Sequence, residues 1–129
     1  MFEQLEYVYM PSADVAADVK WFIDVLGGRL VFAIDSMGTR VAMVQLTDAP
    51  PKILLAGHLE GDRPILVYRV DDLRAATKEL QTRGWTEGHQ LEIPQGPVHS
   101  FSAPGGQRLA IFELSRPGVE ASFAGRRDF

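Results

Sequence analysis

Residues Ser12 to Gly28, SADVAADVKWFIDVLGG, are the clearest helix in the chain. Val15, Val19, Phe22, Ile23 and Leu26 recur at helical spacing and form one apolar stripe that must be buried against a sheet. Pro11 closes the segment before it, and Ser12 or Asp14 can accept from the free amides of the first turn. Gly27 and Gly28 supply the left-handed stop. Trp21 lies off the stripe and is read as a partly buried ring or a contact surface. A second helix of the same make follows at Val70 to Gly84, VDDLRAATKELQTRG, with Leu73, Ala76 and Leu80 as its stripe. Both helices are covers for a sheet, and neither is a site.

The stretches around the two helices repeat as well. Leu5 to Met10 reads as a strand entering the first helix, followed by Arg29 to Asp35, Thr39 to Thr47 and Lys52 to His58 as strands. Ser36, Met37 and Gly38 read as a hairpin loop, and Leu59 to Pro64 as a connector. Ile65 to Val70, Trp85 to Ile93, Pro97 to Ala103 and Gln107 to Leu114 then repeat the order around the second helix. Tyr7 to Ile65 and Asp14 to Asp72 both span 58 positions, and Leu54 to Ala110 spans 56, as duplication with small loop changes leaves them. The expectation is one α+β domain over 1–129: a βαβββ unit at 1–60, a second at 64–115, and a tail of low order at 116–129 able to fold onto a partner subunit. The two units form curved mixed sheets around a cavity.

Composition removes several functions. A net charge of −4 argues against nucleic acid and against an anionic membrane surface. With no cysteine there is no disulfide, thiolate metal site or cysteine nucleophile. No apolar run is long enough to cross a bilayer, and no basic leader precedes one, so a cytoplasmic location is expected. There is no GxSxG, P-loop or dinucleotide fingerprint, and Gly105 and Gly106 read as turn chemistry.

The helix end VLGG at Val25 to Gly28, the helix start VDDL at Val70 to Leu73 and the turn and strand SAPGGQRLAIFEL at Ser102 to Leu114 resemble the glyoxalase, bleomycin-resistance and extradiol-dioxygenase superfamily, the vicinal oxygen chelate proteins. The resemblance spans Leu5 to Leu114. It implies a divalent metal held by His on the entering strand and Glu on the closing strand of each unit. Here those positions carry Tyr7, Leu54, Ile65 and Ala110. Leu, Ile and Ala have no lone pair and a protonated Tyr is a poor ligand, so neither a metal nor another cofactor is expected. A one-residue slip restores only Glu6.

Strand alternation puts Tyr7, Tyr9, Leu54, Ala56, Ile65, Val67, Ala110 and Phe112 on the cavity side, with Arg69 and Arg108 nearer the rims. With His99 as a polar anchor, this set without Arg69 forms an expected pocket for a hydrophobic or aromatic small molecule. The resemblance points most to metal-free members that sequester an antibiotic, and it implies a homodimer. The alternative is a lyase, isomerase or dioxygenase of the same superfamily with a noncanonical metal site built from His58 or His99 with Glu113, although alternation turns Glu113 away from the cavity. An enzyme using Tyr or His as acid or base without metal is a third reading.

Overall fold

A computed structural model describes residues 1–36, 38–59 and 61–129. The expected hairpin residue Met37 and the connector residue Glu60 lie outside the described residues. Eight strands and three helices follow in the order β1 (Phe2–Pro11), α1 (Val15–Asp24), β2 (Arg29–Ser36), β3 (Thr39–Gln45), β4 (Lys52–Ala56), β5 (Ile65–Val70), α2 (Leu73–Thr82), β6 (His89–Ile93), β7 (Gly96–Ser102), β8 (Arg108–Glu113) and α3 (Val119–Phe123). The strands form one curled mixed sheet, a half-barrel of order β2-β3-β4-β1-β5-β8-β7-β6. Each half runs outward from its entering strand to its closing strand, β1 beside β4 and β5 beside β8, both parallel. The two halves join along antiparallel β1 and β5, with Tyr7 opposite Val67 and Tyr9 opposite Ile65. The repeat units of this chain therefore pair with each other.

Helices α1 and α2 cover the convex face. The Asp14 carboxylate accepts from the Ala17 amide and the Asp72 carboxylate from the Ala75 amide, each at 3.0 Å, so both helices start on an Asp cap. Burying Val15 and Val19 of α1 against Ala42, Val44, Ile53 and Leu55 stabilises by roughly 1.5–3 kcal/mol per side chain. Leu26, expected on the same stripe, remains exposed because α1 ends at Asp24 and the chain turns at Gly27, where φ is +72°. Leu73 and Ala76 of α2 pack on Val70 and Ile111.

Several expected strands are shorter: β3 stops at Gln45 rather than Thr47, and β8 spans Arg108–Glu113 rather than Gln107 to Leu114. β4 stops at Ala56, short of His58, and β6 begins at His89 rather than Trp85. The Trp85 ring stands edge-on to Phe101 at 5.4 Å, and a Cβ on Gly88 would lie 2.2 Å from the Ser100 carbonyl, so 85–88 crosses β7 closely before pairing starts.

The concave face carries a hydrophobic cluster formed by Tyr7, Phe32, Met43, Leu54, Val67, Val98, Ala110 and Phe112. The tail, expected to be loosely ordered, folds onto this face. Phe123 of α3 meets Phe32 at 5.7 Å between ring centroids. Beyond α3, the Gly125 amide donates to the Val31 carbonyl at 2.9 Å, the Ala33 amide to Arg126 at 2.8 Å and the Asp128 amide to Ala33 at 2.7 Å. These bonds satisfy the otherwise open edge of β2.

Candidate functional site

Alternation on the four central strands sets what the concave face offers. Two β-bulges add to it: register shifts between Leu5 and Tyr7 and between Leu30 and Phe32 bring Glu6 and Val31 inward beside their neighbours. Among the described residues, two cavities on this face share Tyr7.

The first cavity, about 170 Å³, is lined mainly by Tyr7, Tyr9, Ile65, Val67, Val98 and Ala110. Leu91 and Ile93 of β6 close its far side, and His58 and Leu59 stand at its rim. The His58 ring is edge-on to Tyr9 at 6.4 Å, and its Nδ1 shares a 3.1 Å hydrogen bond with Thr39 Oγ1. Burial raises the Tyr9 hydroxyl above its ordinary pKa.

The second cavity, about 330 Å³, lies beneath the tail between Glu6, Tyr7, Val31, Lys52 and Leu114 on the sheet and Pro117, Glu120, Ala121 and Ala124 above. Here the Tyr7 hydroxyl donates to Glu120 Oε2 at 3.1 Å, while Lys52 Nζ donates to Glu120 Oε1. Glu6, almost fully buried, accepts from the Gln4 amide. Burial, then the Glu120 charge and hydrogen bond, then the Glu6 charge, push the Tyr7 pKa far up. The phenol is therefore fixed as a donor through the whole physiological range.

Five of the ten expected pocket residues line the first cavity: Tyr7, Tyr9, Ile65, Val67 and Ala110. Leu54 and Phe112 belong to the same cluster but sit within it as packing, and the Phe112 ring lies 5.6 Å from Tyr7. Ala56 is fully buried at the end of β4 and reaches neither cavity. Arg108 lies at the rim beside Ile65, where its guanidinium donates to the Arg63 carbonyl at 2.9 Å.

His99 is the expectation that the fold corrects. It pairs with Ile111, whose side chain faces α2, so His99 also lies on the convex face. There its Nδ1 meets Thr77 Oγ1 at 3.1 Å and Glu87 at 3.4 Å. Glu113 faces the same way and accepts the Leu73 amide at 3.0 Å, adding an acceptor at the first turn of α2. Of the two suggested pairs, His58 with Glu113 is divided between opposite faces of the sheet, whereas His99 and Glu113 line one cleft on the convex face, where Thr77 meets His99 and the Leu73 amide occupies Glu113. The sequence reading missed Lys52, which alternation puts on the face of Leu54 and Ala56, Glu6, which needs a bulge, and Glu120, which needs the folded tail.

The central strands do not fit a divalent metal. Leu54 pairs with Tyr9, Tyr9 with Ile65, Tyr7 with Val67 and Val67 with Ala110, which leaves two protonated phenols as the only lone-pair donors in that strip. Among the described residues, no three His, Asp or Glu side chains converge to hold a metal ion.

The model of the Glyoxalase/Bleomycin resistance protein/Dioxygenase superfamily matches residues 4–111. No curated protein matches the sequence. Among solved structures, the chain is similar to methylmalonyl-CoA epimerase from Mycobacterium tuberculosis at 21% identity, with 90% of this chain and 91% of that one covered and a TM-score of 0.75. It is also similar to a methylmalonyl-CoA epimerase in complex with methylmalonyl-CoA and an ammonium ion, at 13% identity, 90% and 97% coverage and a TM-score of 0.71. A catechol 2,3-dioxygenase matches at 16% identity and a TM-score of 0.68, with 94% of this chain covering 44% of that larger one. At these identities the likeness is one of fold. The family match spans most of the chain, and the chain belongs to the glyoxalase/bleomycin resistance protein/dioxygenase superfamily.

Proposed function

We propose that the concave face binds a small apolar or aromatic molecule without a divalent metal. The observation that carries this reading is the tyrosine-bordered cavity at the place where the superfamily's metal ligands would stand, lined by Tyr7, Tyr9, Ile65, Val67 and Ala110. Its size selects the ligand. An apolar cavity near 150 Å³ takes one benzene ring, whereas pockets for drug-sized compounds run from about 300 Å³. At about 170 Å³ this cavity suits one ring or a small fused pair, so sequestration of a large antibiotic is the weaker form of the proposal. A homodimer stays part of it, as does the absence of nucleic-acid and membrane partners; no helix among the described residues is long and apolar enough to cross a membrane.

The named structural relatives are epimerases and a dioxygenase, which favours an enzyme over antibiotic binding. A second reading is therefore an enzyme that acts on the bound compound by proton transfer. The observation behind it is the phenol of Tyr7, held protonated against Glu120 with Glu6 and Lys52 beside it. The family's metal route is not available to these residues, so a base and an acid from this group would carry the reaction.

Titration calorimetry with indole in the presence of a chelator tests the first reading. Saturable binding that Val67→Trp abolishes supports it, and no heat from indole or naphthalene sinks it. A pH-dependent turnover lost in Tyr7→Phe would move the conclusion to the enzyme.

A further inference from the structure

The tail presents two groups to the concave face from one turn of helix. Glu120 places one carboxylate oxygen on Lys52 and the other on the Tyr7 hydroxyl, and three residues later Phe123 lays its ring against Phe32. A carboxylate read by two separate donors, with an aromatic ring seated nearby, is the contact pattern of an aryl carboxylic acid in a binding site. From this arrangement we infer that α3 is an internal stand-in for the ligand, and that the concave site takes a carboxylic acid with an aromatic body by displacing it. This rests on the small-molecule reading above and names the ligand's class.

Three features of the fold support the exchange. The helix is only five residues long and is bounded by Pro117 and Gly118 on one side and by Gly125, at a φ of +82°, on the other. It covers a cavity of about 330 Å³, so part of the helix stands clear of the sheet beneath it. Its retaining bonds to Val31 and Ala33 lie beyond it, at Gly125 to Asp128, so the helix can lift while the chain end stays on β2. The charge balance also carries over. Lys52 and Tyr7 exchange one carboxylate for another, and Glu6 keeps its Gln4 partner throughout. Once α3 moves aside, the space it occupied enlarges a cavity that already stands at the lower end of the range of ordinary ligand sites.

The test is calorimetry with 3-phenylpropionate and its neutral counterpart 3-phenylpropan-1-ol on the full chain. Glu120→Gln removes the competing charge, and the acid should bind at least tenfold tighter than to wild type while the alcohol changes by less than about threefold. Lys52→Met should erase the preference for the acid. Phe123→Ala loosens the helix without altering charge and should also favour the acid, which keeps the test open if Glu120→Gln does not fold. In wild type, saturating acid should speed hydrogen exchange across 119–123 more than at the Ala33 amide. The inference falls if the acid gains nothing in Glu120→Gln and Phe123→Ala, or if the alcohol gains equally. Should both probes bind alike and Val67→Trp block both, only the acid assignment falls. Should neither probe bind any variant, the small-molecule reading falls with it.

Discussion

Replacing Ala110 by Leu separates stability from binding at the candidate cavity. Ala110 is 2% exposed and stands on β8 between Val67 and Ser100, against the cavity of about 170 Å³. An apolar void costs about 24 cal/mol per Å³, which sets a ceiling near 4 kcal/mol on what filling this one could return. Leu adds three carbons, worth about 0.8 kcal/mol each if all find contact, against roughly 1–3 kcal/mol for any strained rotamer. The expected balance is a gain of about 1 kcal/mol, or about 4 °C in Tm, read from urea and thermal melts. The same side chain occupies the ligand's space, so indole affinity should drop at least tenfold by calorimetry. A loss of 2 kcal/mol or more would mean that the void is already filled. Undiminished indole binding in a folded variant would place the ligand elsewhere. Either result refutes the reasoning.

The other predictions concern the groups around this cavity and the helices that cover it. Tyr7→Phe should cost about 1–2 kcal/mol in urea unfolding, because Glu120 loses one charge-assisted bond and keeps the one from Lys52. The tyrosines also set an alkaline limit. Above the ordinary value of 10.0 the unfolded chain releases protons that native Tyr7 and Tyr9 retain, so the unfolded state holds fewer protons and stability falls as pH rises. Below that value their contribution is fully present. Tyr7→Phe should flatten the decline, and absorbance titration should show Tyr7 still protonated at about pH 11. Asp14→Ala and Asp72→Ala should each cost about 1 kcal/mol through loss of a helix cap, and Asn at either position should recover most of it. A chelator should move Tm by less than about 1 °C, since no folding energy resides in a bound metal.

Much of the fold was legible because its signals are local. The paired helix stripes and their Asp caps repeat at a nearly fixed offset, and alternation on β1, β5 and β8 assigned Tyr7, Tyr9, Ile65, Val67 and Ala110 to one face. What escaped depends on contacts distant in sequence. Glu6 turns inward only because β1 bulges where it crosses β5, and period-2 alternation has no place for an extra residue. Glu120 lies in a tail broken by Pro117, Gly118 and Gly125, and its place over β1 and β4 is set by tertiary contacts to Tyr7 and Lys52. His99 failed for a third reason. Residues of one strand alternate faces, so proximity in sequence to pocket residues says nothing without register, and pairing with Ile111 fixes His99 beneath α2.

The central claim is a concave ligand site that operates without a metal, and the most direct measurement is indole titration of chelator-treated protein, repeated after incubation with Zn, Mn and Co salts and removal of unbound ions. The account predicts one saturable site per chain, the same affinity in both samples and no metal retained near one equivalent. Binding that appears only after metal is supplied, with about one equivalent held per chain, would contradict it.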